Sequence, residues 1–190
     1  MVDMTYDPAK QHRRSIRLKG YDYAQPGAYF VTICVREREC AFGDVVDGEM
    51  ALSDAGHIVR ACWDDLPNHY PHVHLDAFII MPNHVHGIIV LVDDDIVGAG
   101  LRPAPTEPAP TDTTTKRHDL PEIVRAFKSF SSRRINEMHA DTGASFWQRG
   151  FYEHVVRNER ELDNIRRYIL DNPLQWALDR DNPEAKVHEG

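Results

Sequence analysis

Two histidines one residue apart, His84 and His86, stand at the mouth of an apolar run in "MPNHVHGIIVLV" (Met81–Val92). On a strand, residues i and i+2 project from one face. The two imidazoles would sit side by side, with Val85 turned into the core. Imidazole is the commonest side-chain ligand for metals, so such a pair supplies half of a metal site. Spacing alone leaves a second reading open, two partly buried histidines met by backbone or water. "HYPHVHLD" (His69–Asp76) repeats the pattern at His72 and His74 with His69 upstream, and its position does not reject it as a ligand pair.

A second chemistry lies in "ELDNIRRYILDN" (Glu161–Asn172). Read as a helix, Leu162, Ile165 and Ile169 form its buried stripe. Glu161, Asn164, Tyr168 and Asn172 follow i+3 and i+4 spacing along a neighbouring face. Tyr168 and Asn172 are thus one turn apart and can reach a common point. A phenol beside an amide oxygen can act as nucleophile plus metal ligand, and a phenol of intrinsic pKa about 10 must shed its proton during attack. The structural alternative is a tyrosine flanking the core with Asn172 as a helix C-cap. Tyr152 is the rival nucleophile, but "FYEHVV" reads as a strand and lacks the partner residues.

The elements that must carry these side chains can be read from periodicity. Tyr29–Arg36 in "AYFVTICVRER" alternates as a strand does. "VVDGEM" carries the hairpin signal Asp47-Gly48. "SDAGHIVRACWDDL" starts a helix at a Ser53 or Asp54 cap and buries Ile58, Val59, Cys62 and Leu66. "VHLDAFIIM" and "HVHGIIVLV" are strands joined by a connection too tight for a parallel crossover. "LPEIVRAFKSFSSRRINEM" spaces Ile123, Phe127, Phe130 and Ile135 as a helix. "FWQRGFYEHVVRN" adds a turn and a short strand, and Pro173 helps to end the last helix. This order predicts an α+β fold, an antiparallel sheet with helices packed on one face. Residues 1–28 form a basic arm, 29–178 one domain with a mobile Pro/Thr-rich loop at about 93–119, and 179–190 a tail.

Composition narrows the classes. The chain of 190 residues is 42% hydrophobic, enough for one well-filled core. No apolar run spans a bilayer, and no secretory h-region precedes the arm. Three cysteines without CxxC spacing argue against a disulfide framework and fit a reducing cytoplasm. The net charge of −8 opposes nucleic acid at long range. Basic residues nevertheless concentrate in Lys10–Lys19, Lys116–Arg134 and Arg157–Arg167.

Taken together, "MPNHVHGIIVL" and "FWQRGFYEHVVRNERELDNIRRYILDNP" resemble the IS200-like transposase superfamily, most closely the REP-associated tyrosine transposases. These belong to the HUH single-stranded-DNA nucleases, with Val85 here as the middle hydrophobic residue. "RRSIRLKGYDYAQPGAYFVTICVRER" resembles the group's opening segment, so the likeness covers about residues 13–92 and 120–178. It implies an RRM-like (ferredoxin-like) fold with the histidine pair on a central strand and the nucleophile on the C-terminal helix. It also implies Tyr168 as nucleophile and His84, His86 and Asn172 as ligands of Mg²⁺ or Mn²⁺. Relatives can carry Gln where Asn172 stands, and either amide supplies an oxygen.

The activity implied is cleavage and rejoining of single-stranded or hairpin DNA through a 5′-phosphotyrosine, on repetitive palindromic elements, by a cytoplasmic monomer or homodimer. Arg13, Arg14, Arg17, Lys19, Lys128, Arg133 and Arg134 are the candidate DNA contacts. Two other readings compete. One is a hairpin-binding regulator that keeps the fold without chemistry; the other is a histidine-rich zinc protein built on His69, His72 and His74.

Overall fold

The computed structural model describes residues 20–93, 117–140, 145–179, 181–183 and 185. Of the 1–28 arm, residues 1–19 with Arg13, Arg14, Arg17 and Lys19 lie outside those residues, as does most of the 93–119 loop, whereas Tyr23 is buried in the core and Gly27 and Ala28 already belong to the first strand. The described strands are β1 (Gly27–Cys34), β2 (Gly43–Val46), β3 (Glu49–Leu52), β4 (Val73–Met81), β5 (His84–Leu91) and β6 (Tyr152–Val156). The described helices are α1 (Asp54–Asp64), α2 (Leu66–His69), α3 (Leu120–Met138) and α4 (Glu159–Gln175).

β4, β5, β1 and β6 form the main sheet in that order, every neighbouring pair antiparallel. With α1 between β1 and β4 and α3 between β5 and β6, this is the ferredoxin-like βαββαβ arrangement. β2 and β3 form a separate hairpin whose turn residues Asp47 and Gly48 have φ +53° and +80°. Positive φ at both central positions is what a type I′ turn requires.

Side-chain caps open the three longer helices. Ser53 Oγ accepts from the Gly56 N–H at 3.2 Å. Asp119 and Glu122 form a reciprocal capping box ahead of α3. Asn158 Oδ1 accepts from Glu161 N–H at 3.0 Å to open α4.

Alternation along β1 and β5 divides the sheet into two apolar faces. Tyr29, Val31, Ile33, Val85 and Ile89 meet Val59 and Trp63 of α1 and Ile123 and Phe127 of α3. Trp63 stacks on Phe78 at 4.3 Å and lies over Gly87, where a Cβ would come within 2.5 Å of its ring. Gly87 thus lets an indole lie flat on the sheet. On the other face Phe30 and Ile88 pack with Leu162, Ile165 and Ile169 of α4.

Helices packed on one face, as expected, describes α1 and α3. α4 takes the opposite face because Phe30 and Ile88 also need a cover. Nor does Pro173 stop α4, which continues to Gln175 and then turns through a 3₁₀ segment, Trp176–Leu178. Pro173 lacks the N–H that would reach the Ile169 carbonyl and its ring crowds that carbonyl, so the helix runs only two residues past it. Among the described residues no helix is long and apolar enough to cross a membrane.

Candidate functional site

His84 opens β5 immediately after the two-residue turn Pro82-Asn83, paired with Met81 on one side and Cys34 on the other. His86 pairs with Thr32 of β1. Both imidazoles project toward α4, and both are buried, at 0% and 4% exposure. Their Nε2 atoms face each other at 3.0 Å.

The ring orientations are fixed from behind. Asn83 donates through Nδ2 to the carbonyls of Arg38 (3.1 Å) and Asp181 (2.7 Å). Only the NH₂ end of a carboxamide can meet two carbonyls, so Asn83 Oδ1 is the acceptor facing His84 Nδ1 at 2.8 Å. His84 therefore carries its proton on Nδ1 and a lone pair on Nε2. His86 Nδ1 lies 2.8 Å from the Thr32 hydroxyl, which can donate or accept. Phe30 stacks against His86 with centroids 5.5 Å apart.

Burial disfavours the imidazolium forms. It lowers the His84 pKa to about 4, against partial support for the charge from Asp181 and Asp179. It pushes His86 well below the usual histidine range, and neighbouring His84 adds to the shift. Both rings are neutral at physiological pH, the state a metal ligand needs.

α4 crosses this pair running opposite to β5. Tyr168 Oη lies 3.3 Å from His86 Nε2, and the Trp176 ring centroid lies 6.1 Å from that of His84. Asn172 falls midway between them on the same i, i+4, i+8 face, over the histidine pair. Its Oδ1 is buried with no hydrogen-bond partner. Such an atom costs about 1–3 kcal/mol unless something meets it. Tyr168 itself is 46% exposed, so a large substrate can reach the phenol.

Two polar clamps hold α4 in place. In β4, Asp76 and Ala77 oppose the single residue Ile88, a β-bulge. Arg166 grips Asp76 there through Nε (2.9 Å) and Nη2 (2.6 Å). At the other edge Glu161 accepts from His154 Nε2 at 2.7 Å.

The donor set fits a divalent cation. Adjacent ligands of an octahedral ion at ~2.1 Å stand about 3.0 Å apart, whereas tetrahedral zinc ligands stand about 3.3–3.4 Å apart. The Nε2–Nε2 separation of 3.0 Å is a hydrogen-bond length in the metal-free protein and lies close enough for both atoms to ligate one ion. Two imidazoles and one carboxamide are all neutral, so none of the cation's charge would be cancelled by the protein. Among the described residues no group of three or more His, Cys, Asp or Glu could hold a metal. Two of the rival histidines are engaged elsewhere, His72 Nε2 donating to the His118 carbonyl and His69 pairing with Asp65, while His74 is exposed.

The structure thus brings His84, His86, Asn172 and Tyr168 together. Lys128, Arg133 and Arg134 lie on α3, across the sheet from them. Lys128 Nζ donates to the carbonyls of Gln148 (2.7 Å) and Gly150 (2.9 Å), and burial lowers its pKa. Arg133 covers the Phe130 ring, and Arg134 points a guanidinium N–H at Cys62 Sγ. Sequence reasoning missed Thr32, Asn83, Asp76 and Arg166. Asn83 was visible beside the histidine pair; Thr32 and the Asp76–Arg166 clamp needed strand register and the bulge.

Residues 113–172 match the family model described as "Transposase IS200 like". An uncharacterised protein of Haemophilus influenzae is 38% identical over 177 residues, which are 92% of this chain and 96% of that protein. The chain belongs to the IS200-like transposase family. A second Haemophilus influenzae protein, provisionally named a REP-associated tyrosine transposase, is 27% identical over 88% of this chain and 83% of its own length. The fold is shared with a solved REP-associated tyrosine transposase bound to a REP hairpin. That match has a TM-score of 0.57 and 19% identity, covering 84% of this chain and 73% of the other.

Proposed function

We propose that this family member cleaves and rejoins single-stranded or hairpin DNA through a phosphotyrosine at Tyr168. The observation that carries the reading is the Tyr168 phenol 3.3 Å from His86 Nε2, beside a second buried neutral imidazole. Tyr168 Oη loses its proton to solvent as it attacks phosphorus, the bond from phosphorus to the 3′ oxygen breaks, and that oxygen takes up a proton and leaves as a 3′-hydroxyl. The 5′-phosphate stays on the tyrosine. Because phenolate is a good leaving group, another 3′-hydroxyl can reverse the linkage and join strands without ATP.

His84 Nε2, His86 Nε2 and Asn172 Oδ1 would hold Mg²⁺ or Mn²⁺, which when bound supplies charge to offset that developing on the phosphate. The chain's own residues do the rest. Asn83 and Thr32 aim the two rings, and burial keeps them neutral. The Asp76–Arg166 and His154–Glu161 clamps hold the phenol at a fixed distance from the pair, so little orientational freedom is lost on reaction. A half-exposed tyrosine over a buried donor set suits a phosphate carried on an unpaired strand. The relative solved with a REP hairpin supports short palindromic repeats as the substrate class.

The test incubates the protein with labelled hairpins from the sequence beside its gene, with Mn²⁺, Mg²⁺ or EDTA. Covalent protein–DNA adducts should form only with metal and vanish in Tyr168→Phe. Hairpin binding without adducts under every metal would replace this reading with a non-catalytic binding role.

A further inference from the structure

Across the main sheet, His86 of β5, Thr32 of β1 and Tyr152 of β6 stand in one row of directly opposed residues. Directly opposed residues of antiparallel strands share a face, and two strand spacings amount to about 10 Å. Tyr152 therefore lies on the nucleophile's side of the sheet, one substrate unit away from the histidine pair. It is 41% exposed at the start of the edge strand. Phe30 stands between the two tyrosines, its ring 6.3 Å from Tyr152 and 6.1 Å from Tyr168, edge-on to both.

These rings wall an open cleft of about 300 Å³ that His154, Glu161 and Asn164 close on the polar side. Those polar groups are already oriented. Glu161 is pinned by the His154 imidazole and by the Arg157 N–H, each at 2.7 Å, leaving acceptor capacity on both oxygens. Asn164 Oδ1 accepts from Arg167, which turns its NH₂ outward as a donor. Glu161 and Asn164 are three apart on α4, so a fixed acceptor and a fixed donor stand side by side above an aromatic floor. Arg157 just before α4, Arg160 in its first turn and Arg167 at its middle are exposed, and they can face the backbone phosphates of an occupant.

We infer that this cleft is a nucleobase subsite. It takes the base of the nucleotide next to the phosphate at Tyr168, stacked on Tyr152 with its polar edge toward Glu161 and Asn164. An aromatic platform, an acceptor–donor edge and peripheral cations are what unpaired nucleic acid requires and what an apolar protein segment does not. The cleft is continuous with the nucleophile itself, since Tyr168 forms one of its walls. Tyr152 thereby gains a role as a positioning residue, the substrate's base being held so that its phosphate meets Tyr168. The inference rests on the proposed DNA strand-transfer reading.

An abasic scan tests it. Hairpins with single-stranded flanks, each carrying one abasic nucleotide, are titrated by fluorescence anisotropy against the full chain and its Tyr152 variants. One flank position should lose affinity by about tenfold in the unaltered protein, the size expected for one stacked base. Tyr152→Ala should lose a similar factor on intact DNA and become insensitive to the abasic site at that position. Tyr152→Phe and Tyr152→Trp should retain the sensitivity, which excludes a general loss of fold. 2-Aminopurine at the same position should be quenched on binding, and less so in Tyr152→Ala. A flat abasic profile, or a sensitive position that Tyr152→Ala leaves unchanged, overturns the subsite while leaving adduct formation at Tyr168 standing. Base-position sensitivity without any metal-dependent adduct would retain the subsite and remove the strand-transfer reading. Failure to bind any hairpin overturns both.

Discussion

Replacing Thr32 by valine tests whether the histidine pair is built to accept a cation. In the protein without metal, the 3.0 Å Nε2–Nε2 contact needs a proton between two nitrogens. His84 cannot supply it, because Asn83 Oδ1 holds its proton at Nδ1. His86 must therefore donate from Nε2, and its Nδ1 then accepts from the Thr32 hydroxyl at 2.8 Å. When a cation takes both Nε2 lone pairs, the His86 proton moves to Nδ1 and Thr32 must accept instead. A hydroxyl serves both states by rotating. Valine has the same shape and serves neither. The loss is greater in the metal-bound state, where the cation polarises the Nδ1–H and strengthens its hydrogen bond. Removing such an outer partner weakens metal binding by roughly 10–100-fold, or ~1.4–2.8 kcal/mol. Mn²⁺ titration calorimetry should show that drop for Thr32→Val and near-normal affinity for Thr32→Ser. Long-range ¹⁵N–¹H spectra of the imidazoles should show His86 as the Nε2–H tautomer without metal. An Nδ1–H tautomer there, or valine affinity within about twofold of the unaltered protein, would refute the reasoning.

Three further outcomes follow from the same geometry. Arg166 holds the Asp76 carboxyl below its ordinary range, so the clamp stabilises fully above the unfolded carboxylate value of about 4 and is lost as pH falls through the lower folded value. The melting-temperature gap between the protein and Asp76→Asn should thus be full at pH 7 and close on the acid side; a gap constant down to pH ~3 would count against the clamp. Gly87→Ala drives a methyl to within 2.5 Å of the Trp63 ring and should cost ~1–3 kcal/mol in denaturant unfolding; an unchanged midpoint would mean the indole moves aside freely. Lys128→Met breaks two bonds to backbone carbonyls and should lower stability while leaving hairpin affinity and its salt dependence unchanged. A reduced salt slope would instead make Lys128 a phosphate contact.

The sheet, the two long helices and the Asp47-Gly48 turn were legible because their signals are local. Period-two alternation set β1 and β5, a capping residue set the start of α1, and apolar spacing set α3 and α4. The face taken by α4 was less legible, because burial of Ile165 and Ile169 says only that something covers them. Which side depends on the register that points Phe30 and Ile88 away from Trp63. The cationic candidates on α3 illustrate the converse. Lys128 and Arg134 look like a basic patch in one dimension, yet the turn that follows α3 and the Cys62 thiol engage them.

The site divides along the same line. Four groups at two spacings, His84 with His86 and Tyr168 with Asn172, were readable because strand and helix periodicities place each pair on a common face. What makes them a site is the set of contacts between those pairs, and these are long-range. Thr32 faces His86 only because β1 and β5 are antiparallel in one particular register; a slip of one residue would turn Thr32 into the core. The bulge in β4 likewise presents Asp76 to Arg166, ninety positions later, and so sets the height of the phenol above the imidazoles. A carboxylate in the donor set would bind a cation tightly without substrate. The neutral His–His–carboxamide set would bind it weakly until a phosphate adds negative charge. On the proposed function, assembly of the reactive site would then depend on the nucleic acid itself, whose phosphate would supply the negative charge that the donor set lacks.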